Sequence, residues 1–228
     1  MSIRFRPQYQ YLDQNKEAEE RIYEGETPGV SYGDIAERYY TVGQYMKEVK
    51  DVSKAMAAAG DSYICDEYLN AMGSPEAESV YVLHDLNNDG IEEFFIGLKF
   101  NYDIPYYIIY DVYTWKDGRA YQLMRGIGYR NGSCKICENG VIEDNYSGSA
   151  WDGQTLYHIL PEGGIELETI DSVSSRRDGT VQSYYHWNEL IDENSLQTIL
   201  EQYQPESVTY VDCNRETIEQ LRLSGIRK

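Results

Sequence analysis

The chain has 228 residues, long enough to bury a substantial core in one large or two small domains, and no change of composition marks a boundary. Asp and Glu number 39 against 20 Lys and Arg, and the formal charge of −19 would repel a phosphate backbone, which argues against a nucleic-acid partner. No run of about 18 apolar residues is present to span a membrane as a helix. The acidity favours cations, or a basic protein, as partners instead.

Residues 1–30 are polar, and a loosely attached arm is expected there, with a short charged helix over 15–21 before Gly25 and Pro28. Met1 to Pro7 carries positive charge with no apolar stretch behind it, which is not the pattern of a signal peptide. That predicts either a cytoplasmic protein or an extracellular, cell-envelope one whose export signal was removed. Ser31-Tyr32-Gly33-Asp34 resembles a capping box with Asp in place of Glu. Ile35, Tyr39, Val42, Met46, Val49 and Met56 then recur at spacings of four, three, four, three and seven. The spacing predicts one amphipathic helix over 31–59, stopped by Gly60 and docked on a sheet. A second helix is expected over 62–72, ended by Gly73-Ser74-Pro75.

From 79 to 187 the chain alternates short β-branched and aromatic runs with turn signals. Asp117-Gly118, Asn131-Gly132, Asn139-Gly140, Gly163-Gly164 and Asp178-Gly179 separate runs that read as strands, and connections this short force antiparallel neighbours. The expected architecture is α+β: a curved antiparallel β-meander of about eight or nine strands, with the N-terminal helices packed on it. Short C-terminal helices lie over 192–223, all in one domain spanning 31–228. Within that tail, Asp192 to Ser195 offers caps for a helix with Leu196, Ile199, Leu200 and Tyr203 on one face. Pro205 ends it, 208–211 reads as a short strand, and Asn214 caps a last helix through Ile218, Leu221 and Leu223.

The densest chemistry is in Asp85-Leu86-Asn87-Asn88-Asp89-Gly90-Ile91-Glu92-Glu93. Calcium loops take side-chain oxygens from their first, third and fifth residues, need Gly at the sixth for positive φ, and use the carbonyl of the seventh and the side chain of the ninth. Asp85, Asn87, Asp89, Ile91 and Glu93 are therefore the candidate Ca²⁺ ligands. The EF-hand's Glu at the twelfth position is replaced by Ile96, and the flanks Val80 to Leu83 and Phe94 to Leu98 read as strands, so this loop joins two strands rather than two helices. Three carboxylates converging within about 4 Å would repel one another by roughly 4 kcal/mol per pair at an effective dielectric near 20, which is the electrostatic reason for a cation. The alternative is an Asx-rich turn bonded to its own backbone.

Asp85 to Gly97 resembles the calcium loops of FG-GAP and integrin-alpha-type repeats, with Glu93 where those carry Asp. A wider set of segments, namely the loop with its strands, Tyr110 to Gly118, Cys137-Glu138-Asn139-Gly140 and Ile199 to Tyr203, is similar to an uncharacterised domain of exported proteins and lipoproteins in Gram-positive gut bacteria. The resemblance implies a fold, cation binding and an exported location, and implies no reaction.

Other signals point to structure. Cys134 and Cys137, three apart on an expected strand, face opposite sides, so buried free thiols are expected rather than a disulfide or a zinc site. His84, His158 and His186 come without a nucleophile motif and are expected to be structural. Asp103 and Asp111 are the carboxylates to weigh for glycoside hydrolysis. The 23 tyrosines and three tryptophans suit sheets, and where exposed they suit stacking on sugars or a protein interface. The functional expectation is a non-enzymatic, calcium-binding domain of the cell envelope with a protein or glycan ligand. The other reading is a cytoplasmic acidic immunity or inhibitor protein that masks a basic partner such as a nuclease toxin.

Overall fold

The computed structural model describes residues 31–59, 64–126, 133–147, 151–159, 167–178 and 181–224. The expected arm over 1–30 and the turns at Asn131-Gly132 and Gly163-Gly164 lie outside the described residues. The elements in order are α1 (Tyr32–Val49), α2 (Val52–Ala59), α3 (Asp66–Met72), β1 (Ala77–His84), β2 (Glu93–Phe100), β3 (Tyr106–Lys116), β4 (Arg119–Arg125), β5 (Ser133–Cys137), β6 (Val141–Ser147), β7 (Trp151–Ile159), β8 (Leu167–Asp178), β9 (Val181–His186), β10 (Glu189–Ile191), α4 (Glu193–Leu200), β11 (Val211–Asp212) and α5 (Arg215–Ser224). The class is α+β, as the patterning predicts.

Helix α1 begins on the capping box: the Ser31 hydroxyl accepts from the Asp34 amide, while the Asp34 carboxylate accepts from the Ser31 amide. The single helix predicted over 31–59 is two. Lys50 takes the left-handed conformation at φ 52° and closes α1 on the Met46 carbonyl, and Asp51 then accepts from the Lys54 amide as the cap of α2. An Asp that caps a new turn is more stable there than inside a helix. The break ends the periodic face early. Ile35, Tyr39, Val42 and Met46 are buried, whereas Val49, expected in the core, is 37% exposed. The Met56 side chain lies outside what is described. Helix α3 starts at Asp66 rather than at 62, with the Cys65 sulfur accepting from the Tyr68 amide.

The meander is present and divides after β4 into two antiparallel sheets. One has the order β11-β1-β2-β3-β4 and the other β10-β9-β8-β7-β6-β5. The Asp117-Gly118 turn between β3 and β4 has φ of 51° and 80°, the geometry a two-residue hairpin demands. A turn of the same kind at Trp187-Asn188, with φ of 50° and 70°, adds β10 where the strand pattern was expected to stop. The short strand expected over 208–211 is absent over 208–210; β11 begins only at Val211 and pairs Val211 and Asp212 with Tyr81 and Val80 on β1.

Strand β2 is buried on both faces, which explains its unbroken apolar run. Toward the helices, Phe94, Ile96, Leu98 and Phe100 join Tyr39, Met46, Tyr68 and Leu69. On the other face, Phe95 with Val82, Ile109 and Val112 packs against Cys134, Ile136, Ile142 and Ile159 of the second sheet. The result is a layer of helices, a central five-stranded sheet and a six-stranded sheet. Residues 204–212 strap the open edge: Glu206 donates its amide to Ile136 on β5 and Glu138 donates to Gln204, both at 2.8 Å, before the chain crosses to β1. In the tail, Asp192 caps α4 and Asn214 caps α5. Ile218 and Leu221 are buried, but Leu223, expected on the same face, is 77% exposed.

All four cysteines are buried and free, with Cys134 and Cys137 in different apolar clusters. Burial, reinforced by Glu143, pushes the Cys137 thiol up to about 12, and burial raises the Cys213 thiol to about 12 as well. Thiols held protonated and out of solvent are poor nucleophiles. The native chain is expected to bind no thiol reagent at neutral pH and to bind four equivalents once denatured without reductant. Fewer than four would reveal a disulfide.

Candidate metal centre

The predicted loop lies between β1 and β2, whose ends pair His84 with Glu93. It turns through Asn88 at φ 57° and Gly90 at φ 87°. Its side chains fold onto its own amides. The Asp85 carboxylate accepts from the Asp89 amide at 3.2 Å and the Gly90 amide at 2.9 Å, and the Asn87 Oδ1 accepts from that same Asp89 amide at 3.1 Å. Two side-chain oxygens on one N–H must lie on the same side of the loop. Asp89 in turn accepts from the Ile91 amide at 2.8 Å and from the Asn87 side-chain amide at 3.0 Å. Asp85, Asn87 and Asp89 are thus brought together.

Glu93 stands apart from that set and faces inward. It is 0% exposed; its Oε2 accepts from the Leu86 amide at 3.0 Å and its Oε1 from the Thr114 hydroxyl on β3 at 2.9 Å. Burial pushes its carboxyl up to about 7, the two hydrogen bonds oppose that rise, and the charges on Asp89 and Asp85 add to it. Among the described residues no Lys, Arg or His forms an ion pair with it.

Three elements distant in sequence hold the loop. Tyr32 at the start of α1 donates its hydroxyl to the Glu92 carbonyl at 2.9 Å. His84 pairs with Glu206 of the strap at 3.2 Å. The β5–β6 turn presses Gly140, at φ 70°, so closely on the loop that a Cβ there would meet the Leu86 carbonyl oxygen at 1.9 Å. Gly140→Ala is therefore expected to cost about 2 kcal/mol, more than Gly118→Ala, which meets no atom and costs only the left-handed penalty of about 1 kcal/mol. Equal losses in denaturant titrations would show that the turn does not bear on the loop. Beside this contact, Asn87, Asn88, Asn139, Gly140 and His158 line a cavity of about 150 Å³. His158, expected to be a satisfied structural residue, has a buried Nε2 with no hydrogen-bond partner among the described residues. None of these long-range contacts carries a local signal; only Asn139-Gly140 is visible beforehand, and only as a turn.

The donor set fits a hard cation in kind: carboxylate, amide and carbonyl oxygens, with no sulfur or imidazole. It is not drawn to one point, since among the described residues no three His, Cys, Asp or Glu side chains are gathered as a metal would hold them. The side-chain oxygens of Asp85, Asn87 and Asp89 each accept one hydrogen bond and keep a further lone pair, so those bonds need not be lost when an ion is bound.

The other candidates separate. Asp103 is exposed at the β2–β3 connection while Asp111 is wholly buried under α1, so the two do not form a glycosidase pair. His186 meets Asp171 at 2.7 Å, and Asp171 also accepts from Tyr203 at 3.0 Å, which ties β8 and β9 to the chain after α4. Set against models of known families, against curated proteins and against solved structures, the chain matches none. No helix among the described residues is long and apolar enough to cross a membrane.

Proposed function

We propose that the chain is a non-enzymatic binding domain whose β1–β2 loop takes calcium through Asp85, Asn87, Asp89, the Ile91 carbonyl and Glu93. The observation that carries this reading is Glu93: a fully buried carboxylate, flanked by further acids and bonded, among the described residues, to neutral donors. A buried carboxylate is costly unless it takes a proton or a positive group accompanies it, and a divalent ion bound among the loop oxygens supplies the latter. Because α1, the strap and the β5–β6 turn all bear on this loop, the ion would act as a structural tie among layers. The FG-GAP-like pattern of the loop supports the same reading.

The test is a thermal melt with calcium and with chelator. For a Kd of about 10 μM, calcium at about 1 mM adds roughly 2.7 kcal/mol, or about 5 to 10 °C for a chain of this size. Asp89→Ala is expected to lose most of that response. A native melt that does not move with calcium would leave the loop a hydrogen-bonded turn. It would favour the second reading, an acidic protein that binds a basic partner, for which the support is the charge of −19.

A further inference from the structure

At the end of the central sheet opposite the calcium loop, the connection between β2 and β3 carries an aromatic patch. The Phe100, Tyr102 and Tyr106 rings lie within 13° of parallel, with centroids 4.7, 5.8 and 6.2 Å apart. A column of three rings would put the outer two roughly twice the 4.7 Å spacing apart. Here the third ring lies within 6.2 Å of both members of the stacked pair, so the three form a compact cluster of near-parallel rings rather than a column. Phe100 is 6% exposed and rooted in the core, while Tyr102 and Tyr106 are 51% and 45% exposed. The patch is held before any ligand arrives. The Asn101 amide donates to the Glu76 carbonyl at 3.0 Å, the Tyr102 amide donates to Phe100 at 3.1 Å, and on the other face Tyr107 stacks on Tyr210 at 4.0 Å. Rings already ordered lose little entropy on binding.

We infer that this patch is a docking platform for a neutral oligosaccharide, one pyranose face lying on Tyr102 and Tyr106 while Asn101, Asp103 and the tyrosine hydroxyls take its ring hydroxyls. A sugar offers what the surface lacks, a flat face of C–H groups edged by donors and acceptors. The other flat ligand, a nucleobase, brings phosphates into the field of a chain of charge −19. A quaternary ammonium is recognised by rings that enclose it, and these lie parallel. The inference deepens the binding-domain reading and rests on it for the view that the chain captures a ligand. The two are tested at opposite ends of the sheet, so a failed calcium melt and a failed sugar titration are told apart.

The isotope-labelled full chain is titrated by NMR with six-unit cello-, xylo-, manno- and chito-oligosaccharides at millimolar concentration. At least one is expected to give saturable shifts centred on residues 100–107. Tyr102→Ala with Tyr106→Ala should weaken it at least about tenfold, while the paired Phe changes, which keep the rings, stay within about threefold. Tyr102→Ala alone serves if the double variant fails to fold. No shift with any of the four sugars, shifts confined to another region, or undiminished binding by the alanine variants would overturn the inference. So would shifts of these residues on dilution of the free chain, which would mark the patch as the contact with a second copy.

Discussion

Replacing Met46 by Asp should cost about 4 kcal/mol and lower the melting temperature by roughly 8 to 16 °C. Met46 is 3% exposed on the inner face of α1, within the cluster that joins the helices to β2. The substitution removes a long apolar side chain and sets a carboxylate among neighbours that offer it no positive charge. Val49→Lys, three residues further on, is the control. That side chain is 37% exposed in the last turn, where a cation also suits the helix dipole, so the change should stay within about 0.5 kcal/mol of the native chain. A Met46→Asp midpoint as little affected as the control's would mean that α1 is peripheral to the fold.

The contrast between these two positions shows how far the sequence carries. Periodicity located α1 and its inward residues because an amphipathic stripe is a local pattern, and Asp117-Gly118 located a hairpin because positive φ is a local demand. The helix break at Lys50 was hidden because Asp51 fits either a helix surface or a cap, and only the cap geometry decides between them. The division of the meander into two sheets depends on which strand faces pack together. Alternation within one strand is silent on that, and the double-sided burial of β2 becomes intelligible only once the second sheet lies against it.

At the candidate site the spacing grouped Asp85, Asn87, Asp89 and Glu93; the loop brings the first three together, while Glu93 turns away from them. The spacing gave no hint that Glu93 turns to Thr114, or that Tyr32, Glu206 and Gly140 close on the loop, because those contacts join positions 21 or more residues from their partners. The aromatic patch was legible as composition alone. Its parallel geometry is a product of the β2–β3 pairing.

Stability should fall as pH rises from about 4 to about 6, and Asp111 should be a principal cause. Its side chain is 0% exposed on β3 beneath α1. Burial raises its carboxyl from the ordinary 3.8 to about 6, against hydrogen bonds from the Tyr39 hydroxyl, the Gly126 amide and the Cys65 thiol and the nearby charge of Arg125, which all favour the ionised form. Tyr113 and Gln122 complete the surroundings, Tyr113 at 3.1 Å from the Tyr39 hydroxyl and Gln122 at 3.4 Å from Asp111. Because the folded-state value lies above the unfolded one, the folded chain holds the extra proton between about 3.8 and 6, and its stabilising effect is full below that window and gone above it. A rise from 3.8 to about 6 corresponds to about 3 kcal/mol. Asp111→Asn keeps an acceptor for the Gly126 amide and offers its own N–H toward Tyr39, whose hydroxyl is free to turn to Tyr113. The variant should therefore fold, with that part of the pH dependence removed. Denaturant titrations of both chains at pH 4, 5, 6 and 7 read the difference, which should move by about 3 kcal/mol in favour of the variant as pH rises. A difference that stays constant across the series would mean that the Asp111 carboxyl ionises in the folded chain as readily as in the unfolded one, and that Arg125 with the surrounding donors fully offsets its burial.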